Sequence, residues 1–239
     1  MRIEFGLTRV TYRVLADTLS WVQKIFAMDP SRYPRLCLNK LIALHFSPSN
    51  IVKYNWWSQL QRLLGTLNCQ LHWPPVSATD LASNVTSILN TAQGFLHEED
   101  VDTLRRSKYS PFYLHITHLA RSPQSYLLLN IPFHHKKLLA QIRTSGKYVI
   151  AISIHDMRYA INPTVACTIC NMGVNEDLHH VMTECPIASA TRAYFLPELT
   201  GSSGIDLKLF LSFIDPEKAA RIFKFFRELC RLRAFCFLD

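Results

Sequence analysis

The sequence lacks the features that mark membrane-spanning, secreted and disordered proteins. No uninterrupted apolar run approaches the ~18 residues of a membrane span. The first residues lack the apolar core of a secretory signal. Apolar residues make up 49% of the 239-residue chain, which excludes global disorder. We therefore predict a folded intracellular protein of the nucleus or cytoplasm, without membrane contact, long enough for one large domain or two small ones.

Catalytic signatures are missing as well. The sequence contains no P-loop, dinucleotide fingerprint, nucleophile elbow or H-E-x-x-H run. No pair of adjacent aspartates lies in an apolar hairpin of the kind that two-metal polymerases use. The acidic run Glu98-Glu99-Asp100 reads as a solvated helix face. We predict that this chain alone is not an enzyme.

Seven cysteines are present, and a reducing compartment disfavours a disulfide framework for them. Four are scattered among apolar neighbours and are interpreted as small core residues: Cys37, Cys69, Cys230 and Cys236. The other three fall within 19 residues of one another, together with a histidine.

This short run reads C-x2-C-x9-H-x4-C, with Cys167, Cys170, His180 and Cys185 as the four ligands. Three thiolates and one imidazole suit a tetrahedral Zn²⁺ without an open coordination position, which is typical of a structural site rather than a hydrolase. His179 competes with His180 as the ligand, and spacing alone does not separate them. A segment this short depends on zinc for much of its stability.

The charge balance favours an anionic partner. With 26 Lys and Arg against 18 Asp and Glu, the formal net charge is +8, which indicates nucleic acid first. Cations surround the cysteine run, and the candidates for phosphate contacts are Lys136, Lys137, Arg143, Arg158 and Arg192. Tyr159 and Tyr194 are candidate partners for base stacking.

Hydrophobic periodicity predicts a mainly α-helical protein. Helices are expected over residues 7–28, 36–45, 56–67, 79–95, 98–107, 133–144 and 216–236, and one strand over 148–154. Trp73-Pro74-Pro75 breaks the pattern, and 200–204 is a flexible linker. The expected parts are a bundle-like helical segment (1–75), a helical connector (76–130), a CCHC zinc-knuckle module (131–199) and a basic amphipathic helix (205–239).

The last of these helices combines a basic face with an apolar stripe. The basic face consists of Arg221, Lys224, Arg227 and Arg231, and the stripe of Ile222, Phe223, Phe226, Leu229 and Cys230. We expect the stripe to pack on the domain rather than enter a membrane. The basic face fits either a nucleic-acid backbone or solvent.

The cysteine run with its surroundings resembles the zinc-binding region that ends the reverse transcriptase polyprotein of non-LTR retrotransposons, particularly insect-type elements. In that family a Glu precedes the ligand histidine by four residues and Cys-Pro closes the motif. Glu176 and Cys185-Pro186 match this pattern, which selects His180 over His179. Residues 15–21 and 53–56 are similar to the helical segment between polymerase and knuckle, so the resemblance covers most of the chain.

The resemblance implies that the chain binds element RNA or target DNA without catalysis of its own. The family's palm with its catalytic aspartates and its endonuclease are missing, so the chain is expected to be a carboxy-terminal remnant or a mis-started gene product. The rivals are a protein-interaction module supported by zinc, an enzyme fragment that needs a polymerase in trans, and a relic without function. The sequence specifies no oligomeric state.

Overall fold

The structure, a computed structural model, describes residues 2–48, 52–107, 113–117, 119–145, 149–154, 157–200 and 206–236. The chain divides into two compact units. The amino-terminal unit is Thr8–Val101, and the carboxy-terminal unit combines Ile3–Leu7 with Asp102–Asp239. Helices dominate both units, so the prediction of a mainly α-helical protein is confirmed.

The helices and strands follow one another in this order. The α-helices are α1 (Arg2–Phe5), α2 (Val10–Phe26), α3 (Tyr33–His45), α4 (Trp56–Thr66), α5 (Ala78–Arg105), α6 (Ser125–Leu128), α7 (Phe133–Arg143), α8 (Ser189–Phe195), α9 (Leu207–Ser212) and α10 (Pro216–Cys236). Strands β1 (Ile150–Ile154) and β2 (Met157–Ile161) lie between α7 and α8. Short 3₁₀ turns are formed by Val52–Tyr54, Tyr113–His115 and Pro197–Leu199, and a single π-helical turn by His180–Glu184.

The amino-terminal unit encloses its own core between α2, α4 and α5. On α2 the buried residues Leu15, Leu19 and Val22 recur at spacings of four and three, which places them on one face. Helix α4 begins at a capped end, because the side chain of Asn55 accepts a hydrogen bond from the backbone N–H of Ser58 at 3.3 Å. Buried residues from these helices form one continuous hydrophobic cluster.

Helix α5 corrects one prediction. Separate helices were expected over 79–95 and 98–107, whereas one helix of 28 residues runs through both. The reason is that neither proline nor glycine separates the two predicted segments, and Leu96, which lies between them, is buried on the helix. Ser77 caps its start, since the Ser77 hydroxyl oxygen accepts from the backbone N–H of Asp80 at 3.1 Å.

The two strands form an antiparallel hairpin in the carboxy-terminal unit. Ile150 pairs with Ile161, and Ile152 pairs with Tyr159, so that these four side chains share the buried face. The predicted strand at 148–154 is observed from Ile150; its first residue, 148, lies outside the described residues, as does the predicted linker beyond Thr200. Strand β2 was not predicted, although in the sequence its larger apolar residues, Met157, Tyr159 and Ile161, alternate with Arg158 and Ala160.

Helix α10 supplies much of the core of this unit. The predicted apolar stripe is confirmed, because Ile222, Phe223, Phe226, Leu229 and Cys230 are all buried. They belong to one cluster with residues of α7, β1, β2 and the cysteine run. Among the described residues, no helix combines the length and the apolarity needed to cross a membrane.

Candidate metal centre

The four predicted ligands converge on one point in the carboxy-terminal unit. The three thiol sulfurs and the imidazole nitrogen of Cys167, Cys170, His180 and Cys185 all lie within 4.8 Å of one another. The Sγ atom of Cys170 lies 3.4 Å from Nε2 of His180. Zinc bond lengths place the donor atoms of a tetrahedron about 3.5–3.8 Å apart. The four side chains are therefore close enough to hold a metal ion, and three thiols with one imidazole are donors that zinc takes.

A tight turn presents the first two cysteines. The backbone N–H of Cys167 donates to the carbonyl of Val174 at 2.7 Å, which closes a loop around the C-x2-C pair. Within that loop Asn171 and Gly173 have φ values of 55° and 71°. These left-handed conformations are ones that glycine and asparagine adopt most easily. These two residues turn the chain after Cys170, so that Val174 returns to pair with Cys167 and the C-x2-C pair is enclosed in the loop.

A π-helical turn presents the other two ligands. In an α-helix, residues five apart are rotated by about 140° and point to nearly opposite sides. Here the backbone N–H of Cys185 donates to the carbonyl of His180 at 2.8 Å, an i to i+5 hydrogen bond. The widened turn brings the H-x4-C pair onto one side, where an α-helix would separate it. Single π turns of this kind are frequent at functional sites.

Backbone N–H groups surround the two most buried sulfurs in the same way. Burial raises the pKa of the Cys167 thiol to about 11, while hydrogen bonds from the N–H groups of Ile169 and Cys170 act in the opposite direction. Burial also raises the pKa of the Cys185 thiol, opposed by the N–H groups of Ala188 and Ile187. Each sulfur thus faces the backbone N–H groups of the residues two and three positions later in the chain. These N–H groups would stabilise the thiolate that forms when a metal ion replaces the thiol proton.

The two neighbouring histidines occupy different environments. His180 is buried with its Nε2 atom toward the thiols, whereas His179 is exposed on the outside of the turn. The carboxylate of Glu184 lies 3.2 Å from Nδ1 of His179 and 3.5 Å from Nδ1 of His180. The geometry therefore places His180, not His179, among the thiols. Nδ1 of His180 forms no hydrogen bond with any described residue, so Glu184 faces this nitrogen as a nearby charge only.

Two acidic residues beside the site were not predicted to contact it, although Glu176 was recognised as part of the motif. Glu184 is recognisable in hindsight, because it follows His180 by four residues. Glu176 is buried, and its Oε1 atom accepts hydrogen bonds from the Tyr159 hydroxyl at 2.9 Å and from Nη1 of Arg233 at 3.1 Å. This carboxylate connects the cysteine run to β2 through Tyr159 and to α10 through Arg233. An acidic residue four positions before His180 therefore has a structural role.

Two predicted phosphate contacts need correction, because both guanidinium groups are buried. Arg143 forms an ion pair with Glu4, the atoms Nε and Oε1 being 3.0 Å apart. Arg192 donates from Nη2 to the carbonyl oxygen of Cys185 at 2.8 Å. Burial lowers the pKa of Arg192, while Cys185 and Glu184 favour its charged form. Its position suits a countercharge to the thiolate cluster rather than a contact with nucleic acid.

The other three predicted contacts differ in how accessible they are. Lys136 is half-buried and its Nζ atom donates to the carbonyl oxygen of Leu127 at 2.7 Å. Lys137 and Arg158 are exposed, on α7 and β2. Of the two stacking candidates, Tyr159 is buried and Tyr194 is exposed. The accessible set is therefore Lys137, Arg158 and Tyr194.

The basic face of α10 is largely paired with acidic residues. Arg221 forms an ion pair with Glu198 at 2.5 Å. Arg227 and Arg231 both contact Glu228, at 3.3 Å and 2.9 Å. Lys224 is exposed and forms no ion pair with any described residue. These pairs reduce the net charge that the face offers to an anionic partner.

We predict that zinc uptake releases protons from the two buried thiols. Because the pKa values of Cys167 and Cys185 are raised, both groups carry a proton at neutral pH and must lose it to bind metal. The affinity for zinc should therefore rise at least about 100-fold from pH 7 to pH 8, about tenfold for each of these two protons. Calorimetric titrations in buffers of different ionisation enthalpy measure this release; fewer than two protons per zinc would contradict the assignment of these thiols.

Comparison of the chain with protein-family models, with curated proteins and with solved structures finds no match.

Proposed function

We propose that the chain is a zinc-stabilised nucleic-acid-binding protein related to the carboxy-terminal region of a non-LTR retrotransposon reverse transcriptase. The observation that carries this proposal is the convergence of three thiols and one imidazole, whose donor atoms lie within 4.8 Å of one another. Zn²⁺ would be held by Cys167, Cys170, His180 and Cys185, and it would supply a fixed cross-link between the two ligand-bearing turns. The four side chains would fill all four coordination positions of the ion and leave none for a water molecule, so the site would be structural rather than hydrolytic.

The zinc knuckle in this proposal is part of a larger fold. Ile169, Leu178, Val181 and Met182 lie between the ligands in sequence and are buried in the same cluster as α7, β1, β2 and α10. Zinc would therefore fix the local geometry of a surface whose core also comes from its neighbours. Zinc binding would therefore stabilise this unit in addition to the hydrophobic core.

Nucleic acid is the partner that the charge and the resemblance favour. The formal net charge is +8, and in the sequence the knuckle is flanked by the exposed cations Lys137 and Arg158 and by the exposed ring of Tyr194. Cations contact phosphate oxygens without regard to sequence, and an exposed aromatic ring provides a stacking surface for a base. The expected ligand is single-stranded or structured RNA, or target DNA.

A salt titration with and without zinc tests this function. Zinc-loaded protein should bind labelled single-stranded RNA with an affinity that falls as salt rises, because bound phosphates release counterions. The double variant Lys137→Gln/Arg158→Gln should lower the slope of log K against log salt by about 1.4. Lys224→Gln, which removes an exposed charge on α10, is the matched control. Binding that neither salt, chelation nor the double variant changes would contradict the proposal.

A second candidate function, docking of a protein on the zinc knuckle, is favoured by one specific observation. Residues 159–191 contain no lysine or arginine. The same segment exposes apolar side chains on the knuckle surface: Val165, Met172, Val174 and Ile187. A docking partner would bind with little dependence on salt and would be displaced by Met172→Asp, whereas binding of RNA at Lys137 and Arg158 would persist in that variant.

A further inference from the structure

The cations of the amino-terminal unit are mostly free of acidic partners. Residues 9–76 contain eight Lys and Arg but only two Asp and no Glu. Arg9 pairs with Glu99 and Asp100, at 2.6 Å in each case. The other seven form no ion pair with any described residue: Arg13, Lys24, Arg32, Arg35, Lys40, Lys53 and Arg62. This contrasts with α10, whose arginines are largely paired.

Large aromatic side chains are exposed among these cations. Tyr33 is 84% exposed, Phe46 79% and Tyr54 74%, values far above what a ring retains when it contributes to a core. Lys53 lies beside the ring of Tyr54, with Nζ 5.5 Å from the ring centroid. A cation next to an open ring is the arrangement that holds a phosphate while the ring stacks on a base.

Helix α3 carries most of this surface. Only Leu38 of its 13 residues is fully buried, so the helix packs along one narrow line and leaves most of its circumference open. Tyr33 opens the helix, Lys40 is exposed in its middle, and Phe46 follows its last residue. The helix is roughly 20 Å long, enough to follow several nucleotides of a single strand.

Two hydrogen bonds fix the 3₁₀ turn that carries Lys53 and Tyr54 against the end of α3. Nδ2 of Asn55 donates to the carbonyl oxygen of Leu41 at 2.9 Å. Nδ1 of His45 lies 2.8 Å from Oγ of Ser58 on α4. Asn55 directly follows Tyr54, and His45 directly precedes Phe46, so each exposed ring is next in sequence to a residue that joins the end of α3 to the following turn or to α4.

We propose that this α3 surface, defined by Arg32, Tyr33, Lys40, Phe46, Lys53 and Tyr54, is a second binding site for single-stranded nucleic acid that does not depend on zinc. Unpaired cations supply the attraction for the phosphate backbone, and three open rings supply stacking platforms without base specificity. The site lies in the amino-terminal unit and shares no residue with the knuckle. It therefore goes beyond the proposed function, and each can fail alone.

The test is a fluorescence-anisotropy titration of the full chain with a labelled 12-nucleotide oligouridylate, with and without a zinc chelator. Phe46→Ala and Tyr54→Ala should each weaken binding by at least about fivefold, since stacking on one ring contributes about 1 kcal/mol or more. Phe213→Ala, which removes an exposed ring from the other unit, is the matched control and should change little. These losses should be the same in the chelated and zinc-loaded protein.

Charge variants give an independent readout. Lys40→Gln/Lys53→Gln should lower the slope of log K against log salt by about 1.4, and Lys224→Gln should leave it unchanged. Unaltered binding in both the aromatic and the charge variants would overturn the α3 site, even if Lys137→Gln/Arg158→Gln weakens binding. Loss of a concentration-dependent dimer in Phe46→Ala/Tyr54→Ala, with oligouridylate binding intact, would instead assign the surface to a second copy of the chain.

Discussion

Cys185→Ser and His180→Ala are each expected to lose the zinc ion and to destabilise the carboxy-terminal unit. Both residues are buried and point into the ligand cluster. Removing a ligand should weaken zinc binding by more than the roughly 10- to 100-fold lost when a group that only orients a ligand is removed. At free zinc a thousand times the dissociation constant, the lost binding amounts to about 4 kcal/mol of unfolding free energy. For a unit of this size the unfolding midpoint should fall by roughly 10 °C.

His179→Ala is the matched control for this prediction. It removes an imidazole adjacent in sequence and in contact with the same Glu184 carboxylate, but one that is exposed and outside the cluster. It should retain one equivalent of zinc and the unfolding midpoint of the unchanged protein. Elemental analysis after dialysis gives the zinc content, and thermal unfolding gives the midpoint. Retention of zinc by Cys185→Ser, or its loss from His179→Ala, would show that the ligands are assigned wrongly.

Glu4→Ala is expected to destabilise the carboxy-terminal unit by about 3–5 kcal/mol, the cost of leaving one partner of a buried ion pair without the other. The Glu4 carboxylate is fully buried and accepts hydrogen bonds from Tyr113 at 2.6 Å, Tyr126 at 2.5 Å and Arg143 at 3.0 Å. Burial, together with Glu4, raises the pKa of both phenols, so they remain donors at physiological pH.

The other acceptors of Arg143 among the described residues are uncharged. The guanidinium also donates to the carbonyl oxygens of Leu211 and Ile116 and to Oε1 of Gln124. These neutral acceptors satisfy N–H groups but leave the positive charge without a counterion. The charge would then stay buried in Glu4→Ala, where desolvation costs several kcal/mol.

Denaturant unfolding of three variants measures this effect. Glu4→Ala should lose about 3–5 kcal/mol, whereas Arg2→Ala, which breaks the more exposed contact with Asp100, should lose no more than about 1 kcal/mol. Glu4→Leu/Arg143→Met should recover part of the loss, because apolar residues of similar volume often replace a buried ion pair without penalty. A loss below 1 kcal/mol in Glu4→Ala would mean that the network is not a stabilising feature.

The helices and the cysteine–histidine cluster were predictable from sequence, because each depends on residues that lie close together in the chain. Apolar spacing predicted α2, α4 and α7 within a few residues of their observed ends. The cysteine–histidine cluster that could hold a metal ion was readable from sequence, because the ligands of structural zinc modules typically follow one another at short spacings. Choosing His180 over His179 required the resemblance, and the structure adds the physical reason, which is the direction each ring takes on the π turn.

Long-range partners were beyond the reach of the sequence. Arg143 was predicted to bind phosphate because it lies in a basic stretch, yet its partner Glu4 is 139 residues away in the chain. Arg192 also looked like a surface cation, but the fold buries it beside Cys185. Hydrophobic periodicity predicts which positions of a helix or strand are buried from their apolar residues. It does not predict that a charged residue is buried beside an oppositely charged residue far away in the chain.

X-ray absorption at the zinc edge tests the central claim most directly, because it reports the ligands of the metal itself. Purified full chain with one equivalent of zinc should show three sulfur neighbours at about 2.3 Å and one nitrogen neighbour at about 2.0–2.1 Å. That result would establish Cys167, Cys170, His180 and Cys185 as a closed site. A shell of nitrogen and oxygen alone, or a chain that retains no zinc, would contradict the account.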